Sequence, residues 1–298
     1  LHPNVLVLDR CRYALGDGPW SDVVAVWKAR QAAWNAAGLQ AHAGMQPWAL
    51  AWKKIQPARA LPLKLEFSFA SEIDAPLALV VEKAEHFEIL VNGEKAPPAD
   101  GWHWDRAFGK VAIHARKGAN RIELQGAYRP GVEVEDVFVL GDFATKKTPP
   151  SGYALAAETP PRVGDWIPQG YHFYSGNMSY EFSIKYRKGD RLVLRLKDVQ
   201  ATAARVVVNG RETATLGWRP WEADLTAALR PGGNTVEVVV ISSLQNTFGP
   251  LHNDQYQTRG YNWWLGPGAF TDQVHWTEAY HHAPYGLGGV ELLRWERR

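Results

Sequence analysis

The sequence predicts an all-β protein built from two tandem jelly-roll β-sandwiches, preceded by a short N-terminal helical segment. Three observations carry that prediction. A strand that ends in Val-Asn-Gly occurs twice, at Val91-Asn92-Gly93 and at Val208-Asn209-Gly210. Each copy is followed by a second asparagine in a Gly-containing turn, Asn120 after 28 residues and Asn234 after 25. A length of 298 residues gives each copy enough chain for its own core.

Composition narrows the function classes. The 33 Lys and Arg nearly balance the 31 Asp and Glu, so no broad positive field exists to bind nucleic acid or anionic lipid. No apolar run reaches the length of a membrane span. The opening Leu1-His2-Pro3-Asn4 has neither a leader's charged and apolar regions nor an initiator Met, which reads as a processed chain or a piece of a longer one. The single cysteine, Cys11, excludes an intramolecular disulfide and reads as a small buried hydrophobe. Fourteen tryptophans suit either large aromatic cores or sugar-stacking surfaces.

The elements follow in order. Asn4 to Tyr13 alternates as a strand, and Gly16-Asp17-Gly18-Pro19 breaks it. A helix is expected next, capped by Ser21 or Asp22, with Val23, Val26, Trp27, Arg30 and Trp34 at helical spacing and Gly38 as the stop. Trp27 and Trp34 should be buried. Strands are expected at Leu63–Phe69, Pro76–Val81, Phe87–Val91, Lys110–His114, Arg121–Leu124 and Val134–Leu140. Asn92-Gly93 is a strong hairpin signal, because both residues accept positive φ.

The second copy repeats the order. Phe182-Ser183-Ile184 answers Phe67-Ser68-Phe69, Leu192–Leu196 answers the Pro76 region, Arg205–Gly210 answers Glu88–Gly93, and Pro231–Val238 answers Lys117–Leu124. Between the turns each copy carries two tryptophans ahead of an aspartate: Trp102, Trp104 and Asp105, then Trp218, Trp221 and Asp224. The expected domains are residues 1–142 and 143–298, with the Pro-rich stretch near Gly141–Pro161 as linker and Tyr153–Ala157 as a candidate first strand of the second module.

From Gly164-Asp165-Trp166 to Asn246 the second module resembles the sugar-binding domain of glycoside hydrolase family 2, a galactose-binding-like jelly roll. The residues that carry this are Tyr180-Glu181-Phe182, Asn209-Gly210, Gly217-Trp218-Arg219-Pro220-Trp221-Glu222-Ala223-Asp224-Leu225-Thr226 and Arg230-Pro231-Gly232-Gly233-Asn234. The chain as a whole is similar to the C-terminal part of bacterial enzymes related to family 2 and to the family 106 α-L-rhamnosidases. That similarity runs through Asn4 to Tyr13, Gly141-Asp142-Phe143, Asn246–His252 and Pro284–Val290. Nothing in the chain resembles the β/α barrel that bears the catalytic carboxylates there. The resemblance implies a carbohydrate partner, a catalytic domain on the same precursor and an extracellular or periplasmic location. It requires no cofactor, and it admits a structural calcium at a position the sequence does not mark.

The specific catalytic signatures are absent: no nucleophile elbow, zinc-protease helix, Walker loop or dinucleotide fingerprint occurs. Glycoside hydrolysis needs two carboxylates at a set separation. Glu222 with Asp224, or Glu133 with Glu135 and Asp136, offers the residue types, but a structural part is expected for them, with Asp224 capping the turn at Leu225–Leu229. His252, His281 and His282 could form a zinc set, although ordinary hydrogen bonding is the expectation. The binding candidates are aromatic rings beside polar groups, since an indole stacks on the C–H face of a sugar while its hydroxyls pair with charged or amide side chains. They are Trp102, Trp104 and Asp105; Tyr171 and Tyr174; Trp218, Arg219, Trp221 and Glu222; and Trp263 with Trp264 in the long tail from Gln245 to Leu287.

These features lead to a noncatalytic carbohydrate-binding or ancillary region of a secreted, polysaccharide-degrading glycoside hydrolase. Two other readings share the fold: part of an active enzyme whose catalytic domain lies outside this chain, and a purely structural or dimerising sandwich pair.

Overall fold

The computed structural model describes residues 2–42, 47–56, 60–129, 131–150, 152–253 and 275–296. Its chain divides into two compact units, Val5–Ala157 and Leu1–Asn4 with Glu158–Arg298. Both are β-sandwiches of mainly antiparallel strands, as the alternation predicts.

The first unit contains β1 (Asn4–Leu8), β2 (Arg10–Leu15), β3 (Val24–Ala25), helices α1 (Val26–Ala36) and α2 (Pro47–Trp52), β4 (Leu61–Ser71), β5 (Ala75–Glu82), β6 (Phe87–Val91), β7 (Glu94–Lys95), β8 (Trp102–His103), β9 (Asp105–Ala115), β10 (Gly118–Tyr128), β11 (Val137–Gly141), β12 (Ala144–Thr148) and β13 (Gly152–Ala156). One sheet has the order β1-β11-β5-β9-β8 and the other β12-β13-β4-β10-β6-β7, with β2 also on β4. Strand β4 shows why the sequence folds so. Leu61, Leu63, Leu65, Phe67 and Phe69 alternate inward and are buried, while Pro62, Lys64, Ser68 and Ala70 face solvent.

The second unit contains β14 (Gly164–Asp165), β15 (Asn177–Tyr186), β16 (Arg191–Gln200), β17 (Ala203–Val208), β18 (Arg211–Leu216), β19 (Glu222–Asp224), β20 (Gly232–Ile241), α3 (Gln245–Phe248) and β21 (Gly286–Trp295). Its sheets are ordered β14-β21-β16-β19 and β15-β20-β17-β18. These orders match β1-β11-β5-β9 and β4-β10-β6-β7 strand for strand, so the repeated sequence is a repeated topology.

The two Asn-Gly turns have the geometry that their composition demands. Asn92 and Gly93 sit at φ 52° and 86°, Asn209 and Gly210 at 51° and 80°. The distant asparagine of each repeat completes the same clamp. Asn92 Nδ2 donates to Asn120 Oδ1 at 3.0 Å, and Asn209 Nδ2 donates to Asn234 Oδ1 at 2.8 Å. The first asparagine's Oδ1 accepts a backbone N–H from Arg121 or Thr235. The second asparagine bridges its own turn, accepting from the N–H of Arg116 or Arg230 and donating to the same residue's carbonyl. Asn120 and Asn234 are 1% and 4% exposed. The motif is thus a buried amide lock between two turns.

Three expectations are corrected. The boundary falls at 157/158 rather than 142/143, because the β12–β13 hairpin belongs to the first unit. Ala154 and Leu155 pair in parallel with Ala70 and Ser71 of β4, so Tyr153–Ala157 closes the first sandwich instead of opening the second. The helix starts at Val26, not at a Ser21 or Asp22 cap. Ser21 Oγ accepts the Tyr13 N–H at 3.0 Å, and Val24 and Ala25 pair with Cys11 and Arg10, so the chain stays extended and leaves Val23 exposed. Its end is as expected: Gly38 at φ 75° and the bonds Gly38 N–H to Asn35 O and Leu39 N–H to Trp34 O make a Schellman stop. Trp34 is buried, whereas Trp27 is only half-buried with the Lys28 ammonium 5.4 Å from its ring. Cys11 is 1% exposed, and burial first, then Asp136 and Asp9, push its thiol up to about 12, which makes it inert.

Candidate functional site

The first aromatic loop is the tight hairpin between β8 and β9. Trp102 pairs with Gly109 and His103 with Asp105, with an irregularity between them that turns Trp104 to φ 58°. That left-handed backbone is costly for a bulky residue. It is held because the Trp104 ring packs edge-on against Phe138 at 5.1 Å and Phe108 at 6.1 Å. Trp104 therefore plugs the sandwich rather than offering a face to a sugar. Asp105 Oδ1 accepts the Ala107 N–H at 2.8 Å and remains exposed. Trp102 is 53% exposed.

The equivalent loop of the second unit runs from β18 into β19. Trp218 is 81% exposed there, and Arg219 beside it is also exposed. Trp221 is half-buried against the core, and its carbonyl accepts the Leu196 N–H at 2.8 Å. Glu222 accepts from Arg195 Nε at 2.7 Å, within a surface network that Glu291 and Lys197 extend. Asp224 Oδ1 accepts the Thr226 N–H at 3.0 Å from one residue before the turn, whose N-cap position is Leu225 rather than the Asp224 expected there, and its other oxygen meets Arg191 Nε at 2.9 Å. Hydrogen bonds from Thr226 and Arg191 hold this carboxyl below its usual range, the opposite of what a general acid needs.

Tyr171 and Tyr174 are not at a surface. They are 5% and 2% exposed, in the core around Trp166. Tyr171 donates to Glu158 Oε1 at 2.9 Å and Tyr174 to the Asn177 carbonyl at 2.7 Å. Burial pushes the Tyr174 hydroxyl up to about 12 and raises that of Tyr171 as well. Their alternating Tyr-His-Phe-Tyr context reads as a loop, and only the packing shows it turned inward. Trp263 and Trp264 lie outside the described residues. Of the candidates, the structure leaves Trp102, Asp105, Trp218 and Arg219 open to solvent.

The histidines of the tail serve packing. His252 stacks on Trp276 at 4.4 Å with its Nδ1 2.8 Å from the Thr277 carbonyl, and His281 Nε2 lies 2.8 Å from Thr277 Oγ1. Among the described residues no three His, Cys, Asp or Glu side chains converge as a metal-ligand set.

One cluster was only half visible in the sequence. Glu133, Glu135 and Asp136 meet the influence of Glu82 from β5 and of Asp9, with Arg30 Nη1 donating to Glu135 Oε1 at 2.8 Å. Burial, and next the Glu135 charge, push both Glu82 and Glu133 up to about 7. Burial also raises Glu135 and Asp136; Arg30 opposes the rise at Glu135, while Asp9 adds to it at Asp136. Sequence proximity flagged three of these acids. No periodic signal ties Glu82 or Asp9 to them.

No family model matches the chain. No curated protein matches it either. Among solved structures, it is similar to a rhamnosidase from Novosphingobium sp. PP1Y (17% identity, 89% of this chain and 26% of that one, TM-score 0.30). It is also similar to the Streptomyces avermitilis α-L-rhamnosidase (14%, 60% and 21%, 0.24) and to a β-D-mannosidase from Dictyoglomus thermophilum (12%, 80% and 31%, 0.30). The chain spans between a fifth and a third of those proteins.

Proposed function

We propose that this chain is a noncatalytic carbohydrate-binding region that accompanies a glycoside hydrolase, each sandwich presenting one exposed indole to sugar. The carrying observation is that the same loop of both repeats leaves a tryptophan in water, Trp102 at 53% and Trp218 at 81% exposure, while the other tryptophans of those loops, Trp104 and Trp221, are packed inward. A bare indole beside an exposed Asp105 or Arg219 supplies the flat apolar face and the hydroxyl partner that a pyranose needs. The resemblance of Gly217–Thr226 to the family 2 sugar-binding domain points the same way, and it extends the proposal to a catalytic domain on the same precursor and an extracellular or periplasmic setting. No described helix is long and apolar enough to cross a membrane.

The test is titration with a panel of plant and microbial polysaccharides, followed by tryptophan fluorescence and calorimetry. Trp218→Ala and Trp102→Ala are each expected to weaken binding about tenfold, about 1.4 kcal/mol, by removing one stacking face. The double variant should lose measurable binding. Silence across the whole panel, or affinity unchanged in the double variant, would sink the proposal.

A further inference from the structure

The two repeats differ along one flank. In the first unit the last core strand, β11, has β1 alongside it with all five residues of β1 buried, and β4 carries β2 and β13 on its outer side. In the second unit, among the described residues, the equivalents are barely covered: the short β14 pairs with β21 only at Gly286 and Leu287, and β15 pairs only with β20. The two open edges adjoin, since Arg294 Nη2 donates to the Lys185 carbonyl at 2.7 Å.

What β21 shows there is core. Val290, Leu292 and Arg294 lie opposite Leu196, Leu194 and Leu192, and opposite residues of an antiparallel pair share a face. Those three leucines are 4%, 0% and 0% exposed, yet Val290 and Leu292 on the same face stay 38% and 37% exposed. Among the described residues the usual protections of a sheet edge are missing from β21. No proline interrupts β21, Glu291 is held by Arg195 and Lys197 at 3.4 and 3.6 Å, and Arg294 is turned onto β15.

We propose that β21 is a dimerisation edge, pairing antiparallel with β21 of a second copy to join the two β14-β21-β16-β19 sheets into one. Of the registers centred on Glu291, Leu292 and Leu293, one is self-complementary. Faces match only when the two-fold axis passes through a residue. An axis at Glu291 sets two carboxylates against each other, and one at Leu293 sets Glu291 against Trp295. An axis at Leu292 sets Leu292 on its counterpart, Val290 on the stem of Arg294, and Trp295 on Gly289. Trp295 is 50% exposed, and the space above Gly289 is empty within 4 Å, so ring and gap fit. The first unit, with the same position filled by β1, has no such edge to offer.

The experiment uses the full chain in sedimentation equilibrium across micromolar concentrations, with cysteine cross-linking. Cys11 is buried, so introduced thiols report alone. Leu292→Cys is expected to form a disulfide-linked dimer under mild oxidation, because facing residues have Cα atoms about 4.5–5.5 Å apart, within disulfide reach. Val290→Cys should not, since its counterpart lies four residues along, about 13 Å away. Leu292→Lys should weaken self-association at least about tenfold. If that variant misfolds by circular dichroism, the two mild cysteine variants decide by themselves. A native chain that is monomeric throughout, or a dimer without the Leu292→Cys link, overturns the proposal.

Discussion

Asn234→Ala is expected to destabilise the second unit by about 3 kcal/mol in equilibrium urea unfolding. The side chain accepts from Asn209 Nδ2 and Arg230 N–H and donates to the Arg230 and Gly232 carbonyls, at 2.8 to 3.2 Å. Truncation leaves those groups without their partner at a residue only 4% exposed, and each unsatisfied buried group costs about 1–3 kcal/mol, with entering water offsetting part of the sum. Asn120→Ala should do the same to the first unit, whose amide makes the matching bonds. Asn209→Ala combined with Asn234→Ala should cost clearly less than the two single losses together, because they share a bond. A loss under about 0.5 kcal/mol for Asn234→Ala would show that the repeated asparagines are not the lock described.

The first unit is expected to be more stable at pH 5 than at pH 8. Glu82 and Glu133 titrate near 7 in the fold against 4.5 when free, chiefly because burial disfavours their charged forms. Between those values the native state holds protons that the unfolded chain has released. The stabilisation is therefore fully present below about 4.5 and lost as pH rises through about 7. Both side chains keep some contact with water, so solvent screening limits the combined effect to about 2 kcal/mol. Hydrogen exchange of the β11 amides reads this unit alone and should slow on acidification from pH 8 to 5 after correction for intrinsic rates. Glu82→Gln with Glu133→Gln should make that profile shallower, with the raised Glu135 and Asp136 keeping the remainder. A profile equally steep in the double variant would place its origin elsewhere.

The scaffold was legible because its signals are local and repeated. Alternating β4 and β15, the Asn-Gly turns and their distant asparagines are each short patterns with one conformational solution, and their recurrence in order gives the topology twice. Exposure was not legible. Trp102 and Trp104 stand two residues apart in one loop, yet the left-handed turn at Trp104 sends its ring onto Phe138, far along the chain, while Trp102 stays in water. Tyr171 and Tyr174 resemble a binding loop in composition, and only the surrounding core turns them inward. Strand β21 was missed because it opens with Gly286, Gly288 and Gly289 and its Leu292-Leu293 pair breaks alternation. The domain boundary slipped because Pro149-Pro150 reads as a linker, while the β12–β13 hairpin returns to β4 across about eighty intervening residues, a pairing no window of sequence contains.

The asparagine lock has one more consequence. It fastens the start and finish of the excursion between the Val-Asn-Gly turn and the second asparagine, 28 residues in one unit and 25 in the other. Inside that excursion the units have already diverged: one folds Trp102 into the strand pair β8–β9, the other hangs Trp218 on an open loop before β19. With its ends pinned to the core, the loop ahead of β9 or β19 can change length and composition while the strands on either side of it keep their places in the sheets. The chain is in effect two sockets of one pattern holding exchangeable cassettes.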